Sequence, residues 1–291
     1  MKLQDRICAG LEQLDGKGKF RQDLWERPNG GGGRTRVIAS QHIEKGGVNF
    51  SAVHGDMPER ISKALGLGPN TFFATGVSIV LHAENPLVPI IHMNVRYFET
   101  SAGVWWFGGG IDMTPHYIIP EDAVRFHNRM KAVCDKHDET FYPEFKTWAD
   151  EYFYLKHRKE TRGIGGIFFD RLSQDRNSKE ALLSFAVDVG DTFVDSYADV
   201  FNKYYLKPYT EREKEWQLHR RGRYAEFNLV WDKGTKFGLD TDGNIESILM
   251  SLPPEARWTY KYEPNEREQY TLSMLKKHID WVNYKEEVQT V

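Results

Sequence analysis

The residues that decide the fold are PIIHMNVRYFE, 89–99, in which apolar and polar side chains alternate. Because residues two apart in an extended chain share a face, this stretch has one apolar face and one polar face that carries His92, Asn94 and Arg96. Such alternation indicates a β-strand with one side in a core. The polar side either lies in solvent or lines a ligand cleft, and its His, Asn and Arg side chains favour the cleft.

The preceding stretch, TFFATGVSIVLH at 71–82, has the same design, with Ser78 and His82 on its polar face. A turn at 85–86, Asn-Pro, separates the two stretches and predicts an antiparallel hairpin. His82 and His92 share a face of that hairpin if the numbers of the paired residues have an even sum. The register therefore tests whether one polar surface crosses both strands.

The same alternation recurs at 223–231, just before Asp232. Because strands and helices cluster instead of alternating one for one, we predict an α+β fold with a large antiparallel β-sheet, in a single domain spanning 1–291. Extended segments are predicted at 34–41, 47–53, 71–82, 89–99, 103–112, 223–231 and 235–239. Helices are predicted at 1–14, 120–137, 141–157, 176–206 and 265–283.

Two runs of glycine interrupt these patterns. The run at 30–33 predicts a flexible loop, either a plain linker or a mobile flap over a pocket. The run at 108–110 lies inside a predicted strand and indicates a bulge, or a place where another group approaches the backbone closely. It lacks the lysine of a phosphate-binding loop. Asp112, just beyond, is either a turn residue or an acceptor of hydrogen bonds from the approaching group.

The composition narrows the functional class. The chain has 291 residues, of which 40% are hydrophobic, and 39 basic against 42 acidic side chains give a net charge of −3. This near balance argues against a protein that wraps nucleic acid. No signal-peptide pattern is present, and glycines and a proline break the longest uncharged stretch, 64–83, so we expect no membrane span. Cys8 and Cys134 fit buried thiols in a reducing compartment, which predicts a cytoplasmic protein.

Histidines raise the possibility of a metal site. They form no HExxH, HxH or facial-triad pattern, and each one taken singly is more typical of a core or surface histidine. A divalent metal is therefore an alternative and not the expectation. The four that fall on segments around the predicted cleft are His82, His92, His127 and His157.

Five long blocks, in order along the chain, closely resemble the oxygen-dependent coproporphyrinogen III oxidase family. Together they extend over most of the chain, which makes them far more specific than any short motif. The blocks are HMNVRYFE (92–99), WWFGGGIDMTPHY (105–117), YLKHRKETRGIGGIFFD (154–170), YAEFNLVWDKGTKFGL (224–239) and ESILMSLPPEARW (246–258).

The resemblance implies a homodimeric enzyme of haem biosynthesis, whose flat antiparallel sheet is flanked on both faces by α-helices and whose segment 224–258 forms the dimer contact. Its reaction is the oxidative decarboxylation of two propionates of coproporphyrinogen III to vinyl groups, which gives protoporphyrinogen IX, with O2 as the acceptor. The family requires no flavin or haem, and a metal requirement is not general. The competing hypotheses are a metal-dependent oxygenase that uses the four histidines and a non-catalytic tetrapyrrole-binding carrier.

The substrate carries inward N–H donors and peripheral carboxylates, so its site needs an acceptor at the centre and cationic or amide donors at the rim. We assign Asp232 to the pyrrole N–H groups and Arg96 to a propionate, while His92 matches the family's proton donor. The turn at 242–244 departs from the many relatives that carry a basic residue nearby. The resemblance implies substrate contacts by Ser78, Asn94, Val95, Arg96, Asp242, Gly243 and Asn244.

Overall fold

The computed structural model describes residues 1–64, 66–240 and 243–285. Its strands are β1 Arg21–Glu26, β2 Gly31–Ile38, β3 Lys45–Asp56, β4 Thr71–His82, β5 Ile90–Thr100, β6 Trp105–Thr114, β7 Tyr154–Leu155, β8 Glu160–Thr161 and β9 Gly165–Leu172. A seven-stranded sheet has the order β1-β2-β3-β4-β5-β6-β9 with antiparallel neighbours, and β7 and β8 form a separate pair. The predicted antiparallel sheet of an α+β fold is confirmed.

The helices lie before, between and after the strands. They are α1 Lys2–Asp15, α2 Glu59–Ala64, α3 Pro120–Asp135, α4 Phe141–Tyr152, α5 Lys179–Tyr204, α6 Glu211–Glu226, a π-helix Phe227–Trp231, α7 Lys233–Asp240, α8 Ile245–Leu249 and α9 Glu266–Met274. The predicted first helix and the three helices of the middle of the chain are present, although α4 ends earlier than expected. The last predicted helix, 265–283, is helical only over α9.

The hairpin of β4 and β5 has the predicted parity. Ser78 pairs with Asn94 and Val80 pairs with His92, so the numbers of paired residues have an even sum. Since alternate residues share a face, His82 and His92 lie on one side of the sheet. The polar surface that the alternation predicts therefore runs across both strands.

The apolar side of the sheet carries the main core. Ile91 and Met93 are fully buried there, and α5 packs across β5 and β6. Phe185 of α5 lies with its ring centre 5.0 Å from that of Phe169 in β9. Helix α1 packs on α5 and on β3, where Gln4 donates one hydrogen bond to the carbonyl of Val48. This side of the sheet is thus a helix-covered core and holds the polar side in place.

Parts of the chain after residue 211 lie over the polar side of the sheet. The ring of Tyr224, near the end of α6, is 5.4 Å from that of His82. Helix α8 sits over β2 and β3, since the Ser247 hydroxyl is 2.5 Å from that of Thr35 and the Ser247 carbonyl accepts a hydrogen bond from Asn49 at 2.7 Å. These contacts cover one end of the polar surface and leave Ser78, Asn94 and Arg96 partly exposed.

The strands predicted at 223–231 and 235–239 are wrong, because both segments are helical. Helix α6 begins at a capping box, in which Thr210 and Glu213 satisfy each other's backbone N–H groups, and its charged sequence sustains the helix up to Glu226. The alternating residues that follow form a π-helix, in which the Asp232 N–H bonds to the Phe227 carbonyl at 2.9 Å. The short alternation of polar and apolar residues was not enough to form a strand, because α6 is nucleated before it and the helical backbone continues through it.

The loop predicted at 30–33 is also wrong, since Gly31 to Gly33 belong to β2 and pair with β3, and Gly32 and Gly33 pair with β1 as well. Gly31 has φ of 83°, and a Cβ there would lie 2.3 Å from the Ala52 carbonyl oxygen. Only glycine fits this close approach of two strands. The prediction missed β1 and β9, and without β1 the glycines had no visible partner on that side.

Of the two alternatives predicted for 108–110, the close approach of another group is the one that the glycines meet, since a Cβ on Gly108 would lie 2.6 Å from Oδ1 of Asp170. The pairing of β6 with β9 does change register between Phe107 and Gly109, but the extra residue is in β9. Cys8 and Cys134 are both free and buried, as expected, and burial raises the pKa of Cys8 to about 11. None of the helices within the described ranges has the length and apolar character needed to cross a membrane.

Replacing Gly47 with alanine tests how tightly α8 docks on the sheet. A Cβ on Gly47 would lie 1.8 Å from Sδ of Met250, which follows α8 directly. Because the flexible Met250 side chain can shift and relieve part of this overlap, we expect the free energy of unfolding to fall by about 1 kcal/mol, the lower end of the cost of overpacking. Urea unfolding measures it. Gly68→Ala is the control, since a Cβ there has nothing within 4 Å among the described residues; equal losses would contradict the docking.

Candidate active site

Arg96 stands on the polar side of the sheet between two glycines. Gly76 in β4 and Gly108 in β6 are its partners on the neighbouring strands. Because neither glycine has a side chain, the Arg96 guanidinium can lie close to the backbone of the neighbouring strands. It donates from Nη1 to Asn94 Oδ1 at 2.9 Å and from Nη2 to Asp170 Oδ1 at 2.7 Å. Arg96 and Asn94 thus share a face, as the sequence predicted, and the structure adds the hydrogen bond between them and the contact with Asp170.

His92, on the same face of β5, contacts a buried ion pair. Its Nδ1 lies 2.8 Å from Oδ1 of Asp112, its cross-strand partner in β6. Because a carboxylate only accepts hydrogen bonds, Nδ1 carries a hydrogen, which leaves Nε2 as the acceptor nitrogen of a neutral ring. The side chain of His92 is 22% exposed and that of Asp112 only 1%. Asp112 is therefore a partner of His92 inside the protein and not a turn residue.

Arg162 neutralises the Asp112 carboxylate. Its Nη2 donates to both carboxylate oxygens, at 2.7 and 2.8 Å, and its Nη1 donates to Asn228 Oδ1 at 2.9 Å. Burial alone would raise the pKa of Asp112, but Arg162 and His92 outweigh it and hold that pKa below its usual value. Asp112 is thus a carboxylate at neutral pH although it is buried.

An aromatic box surrounds the Arg162 guanidinium. Its central carbon lies 4.4 Å from the ring centre of Phe153, 4.8 Å from that of Tyr224 and 4.6 Å from that of Phe227. Such cation–π contacts stabilise a desolvated cation. Our reading of the sequence missed Arg162, because it lies in the short connection between β8 and β9 and has no periodic pattern around it.

Asp232 lies just after the π-helix and caps α7. Its Oδ2 accepts hydrogen bonds from the N–H and the hydroxyl of Thr235, both at 2.8 Å, and its Oδ1 accepts one from the Tyr152 hydroxyl at 2.7 Å. Burial would raise the pKa of Asp232, but these hydrogen bonds hold it below its ordinary value. The carboxylate is ionised, and it has room to accept about one further N–H.

Tyr152 connects Asp232 with the polar side of the sheet. The Tyr152 ring stacks on Phe168 with a centre separation of 4.1 Å, and Phe168 pairs with Gly110 in β6. The neighbouring Phe153 ring lies 6.1 Å from the ring of His92. Asp232 therefore belongs to the same aromatic surroundings as the His92 group, although our prediction had placed it directly after a strand.

Some predicted contacts lie elsewhere. The side chain of Val95 is buried on the apolar face, because it has the opposite parity to Asn94 and Arg96, so its contact with substrate stays a prediction for the backbone alone. Asn244 caps α8 by accepting a hydrogen bond from the Ser247 N–H at 3.0 Å, and the Gly243 N–H bonds to the Gly238 carbonyl. Asp242 lies outside the described residues. Ser78 is on the polar side, beside Asn94.

The four histidines proposed as metal ligands each have other partners. His82 Nε2 is 2.9 Å from the Ser251 carbonyl, and both nitrogens of His127 are engaged, by the Tyr142 hydroxyl and the Ile164 carbonyl. His157 contacts Glu226 and accepts a hydrogen bond from the Trp231 indole, while His92 contacts Asp112. Within the described part of the chain, no three His, Cys, Asp or Glu side chains come together as a metal site.

Buried histidines predict a pH dependence of stability. Burial lowers the pKa of His116 and of His127 to about 3. Below about pH 6.5 each of these two histidines takes up a proton in the unfolded chain but not in the folded protein. Their contribution to the free energy of unfolding is therefore complete above that pH and is lost progressively as the pH falls towards 3. We expect each histidine to contribute a slope of up to about 1.4 kcal/mol per pH unit.

Urea unfolding at constant ionic strength between pH 4 and 7 measures this slope. In His127→Gln we expect the slope to be smaller by up to one proton's worth, about 1.4 kcal/mol per pH unit. His278→Gln is the matched control, since that side chain is 56% exposed. Equal slopes in wild type and His127→Gln would show that His127 does not titrate on unfolding.

Comparisons with known proteins give a consistent result. A sequence model of the family described as "Coproporphyrinogen III oxidase" matches residues 1–281. "Oxygen-dependent coproporphyrinogen-III oxidase" of Prochlorococcus marinus (strain NATL1A) is 48% identical over 309 residues, covering 97% of this chain and 88% of that protein. "Oxygen-dependent coproporphyrinogen-III oxidase, chloroplastic" of Glycine max is 50% identical over 281 residues, covering 91% and 72%. "Coproporphyrinogen-III oxidase 1, chloroplastic" of Arabidopsis thaliana is 50% identical over 279 residues, covering 90% and 72%.

Proposed function

The chain belongs to the coproporphyrinogen III oxidase family, and we propose that the polar side of its sheet around His92 and Arg96 is where the substrate reacts. The enzyme is an oxygen-dependent oxidoreductase of haem biosynthesis, and it converts two propionates of coproporphyrinogen III to vinyl groups. The observation that carries the location of the site is the buried Arg162–Asp112 pair that holds a partly exposed histidine on this face.

The chemistry sets the requirements for the site. Each propionate loses carbon dioxide and a hydrogen from its β-carbon, and two electrons pass to O2. The site must hold an anionic side chain, accept the pyrrole N–H groups and handle protons near the reacting carbon. Arg96 meets the first requirement with the N–H groups that Asn94 and Asp170 leave free, because a guanidinium binds a carboxylate in a fixed geometry. Ser78 and Asn94 add polar groups beside it.

His92 is the proton-handling group of the proposal. With Nδ1 bonded to Asp112, its Nε2 is the ring nitrogen left to exchange a proton with the substrate. Asp112 is fixed in turn by Arg162, so the imidazole keeps one orientation. Asp232 accepts one of the pyrrole N–H groups through its remaining lone pair, which favours an electron-rich ring.

We infer that turnover needs no flavin, haem or resident metal, because an electron-rich, deprotonated pyrrole can reduce O2 by itself. The resulting peroxide takes the β-hydrogen as a proton and leaves as hydrogen peroxide, while the electron pair of the broken C–H bond returns to the ring. The electron pair of the bond to the carboxylate then forms the vinyl double bond as carbon dioxide leaves. This step is tested under single turnover. Failure to trap an oxygenated intermediate, together with a change of redox state at an enzyme-bound metal, would rule it out.

The test of the function uses metal-stripped enzyme and coproporphyrinogen III. The two are mixed without oxygen, oxygen is then admitted, and carbon dioxide and vinyl product are counted. We expect two molecules of carbon dioxide for each protoporphyrinogen IX formed. Stoichiometric binding without any product would favour a tetrapyrrole carrier, and activity that returns only with added metal would favour a metal-dependent oxygenase.

We further propose that the enzyme is a homodimer with segment 224–258 at its contact. Exposed apolar side chains concentrate there, among them Leu229, Val230, Ile245 and Trp258. Light scattering after size exclusion tests it: the wild type is expected as a dimer, and Leu229→Asp is expected to shift it towards monomer. Leu183→Asp, on exposed α5 surface, is the control. A monomeric wild type would contradict the proposal.

The domain organisation, the covering of the sheet by helices and the cellular location are also proposals. We propose that residues 1–291 act as one domain, in which helices cover both sides of the sheet; the packing of α5 on one side and of α8 on the other supports this. We also propose a cytoplasmic location. The bacterial relatives are compatible with it, whereas the plant relatives are named chloroplastic.

A further inference from the structure

A bulge in β9 sets the direction of Asp170. The pairing of β9 with β6 is regular up to Phe169 and then shifts, so that Asp170 and Arg171 together lie opposite Gly108. Arg171 has φ of 53°, a left-handed conformation that is uncommon for a residue with a side chain. Bulges of this kind redirect side chains and recur next to active sites. Here the bulge turns the Asp170 carboxylate towards β5.

The carboxylate reaches Arg96 across Gly108. Asp170 Oδ1 accepts a hydrogen bond from Arg96 Nη2 at 2.7 Å. A Cβ on Gly108 would lie 2.6 Å from that oxygen and 2.8 Å from that nitrogen. The pair therefore needs a glycine beneath it, and the strand between Arg96 and Asp170 supplies one.

The Arg96 guanidinium is held at two points before any substrate arrives. Nη1 bonds to Asn94 at 2.9 Å and Nη2 bonds to Asp170, while the side chain remains 37% exposed. Among the residues that the structure describes, Asn94 and Asp170 are the two hydrogen-bond acceptors of the guanidinium, and its other N–H groups can receive a ligand. A binding group that is already fixed loses less conformational freedom on association, which strengthens binding.

We propose that Asp170 is a positioning residue, which acts through Arg96 and orients its guanidinium to receive a propionate of coproporphyrinogen III. This inference rests on the proposed function. Asp170 serves as the hydrogen-bond acceptor that fixes the plane of the guanidinium. The bulge directs the Asp170 side chain towards Arg96, and Gly108 leaves room for the contact. Its negative charge is not what the substrate needs, since the ligand is itself an anion.

Three variants separate the hydrogen bond from the charge. Asp170→Ala removes both, Asp170→Asn keeps an acceptor oxygen in the same place, and Gly108→Ala keeps Asp170 but pushes the pair apart. We expect the dissociation constant for coproporphyrinogen III, measured by anaerobic calorimetry, to rise about tenfold in Asp170→Ala and in Gly108→Ala. Asp170→Asn is expected within about threefold of wild type, because its amide oxygen accepts the same bond.

Asp175→Ala, which removes an exposed carboxylate from the turn after β9, is the control for a change of net charge. It is expected to bind like wild type. Under oxygen, KM should follow the dissociation constant while kcat of Asp170→Ala stays within about threefold of wild type, because a loss of uniform binding changes KM alone. Thermal unfolding of every variant identifies any that fails to fold.

The proposal is overturned if Asp170→Ala or Gly108→Ala binds as tightly as wild type, or if Asp170→Asn is as weak as Asp170→Ala. Its failure differs from failure of the proposed function. Wild type that binds coproporphyrinogen III but releases no carbon dioxide under oxygen would refute the reaction and leave the binding comparison valid. Wild type that does not bind the substrate would overturn both.

Discussion

Arg162→Met is expected to lower the free energy of unfolding by about 3–5 kcal/mol, because it leaves the Asp112 carboxylate buried without its cation. Asp112 is 1% exposed and Arg162 is 3% exposed, so solvent cannot replace the lost partner. Methionine keeps similar volume within the aromatic box, which limits the loss from packing. Urea unfolding at neutral pH measures the change.

The pH dependence identifies the cause. In wild type the lowered pKa of Asp112 contributes stability above the ordinary carboxyl pKa, and that contribution is lost as pH falls through the folded value. In Arg162→Met the carboxyl should stay protonated to higher pH, so the difference from wild type should be largest near pH 7 and should shrink towards pH 4.

The control is Arg176→Met, which removes an arginine from an exposed pair with Glu144 at 2.7 Å. We expect it to cost no more than about 1 kcal/mol, because exposed ion pairs contribute little. Equal losses in the two variants, or a loss in Arg162→Met that does not change with pH, would show that the Arg162–Asp112 pair is not what holds this region together.

His92→Ala is expected to lower kcat by about 10²–10⁴-fold, the usual range for a general acid or base. The folded protein should lose little stability, because Arg162 still satisfies Asp112. Binding of coproporphyrinogen III should change only slightly, since Arg96 and Asn94 remain. Single turnover with O2, followed by product counting, separates the chemical step from binding.

Asp112→Asn provides a second variant at the same contact. Its amide can donate towards His92 Nδ1 and so favours the wrong tautomer, and we expect kcat to fall by about 10²-fold or more. His278→Ala, at an exposed histidine, is expected to react like wild type. A kcat of His92→Ala within about threefold of wild type would remove His92 from the proposed chemistry.

Two segments in which polar and apolar residues alternate show what local sequence can and cannot predict about secondary structure. At 71–99 the alternation predicted both the hairpin of β4 and β5 and the parity that puts His82 and His92 on one side. At 223–231 the same alternation gave a wrong strand, because Thr210 and Glu213 nucleate a helix that continues into the π-helix. Period two is decisive only where neighbouring strands are available to pair.

The candidate site divides in a similar way. His92, Asn94 and Arg96 were found because they share one strand, and their residue types differ from those of an ordinary solvated face. Arg162, Asp170 and Tyr152, which contact Asp112, Arg96 and Asp232 respectively, were not found. They come from a connection, a bulge and the end of a helix, so no spacing along the chain relates them to β5.

The sequence by itself determined the central hairpin, which of its faces is polar and the family to which the chain belongs, because alternation and long matching blocks are local properties of the chain. The tertiary structure alone decided that Arg162 neutralises Asp112, that Asp170 crosses Gly108 to reach Arg96, and that Tyr152 donates a hydrogen bond to Asp232. Those contacts join residues tens of positions apart, and their geometry depends on how β9, α4 and the π-helix pack around the sheet.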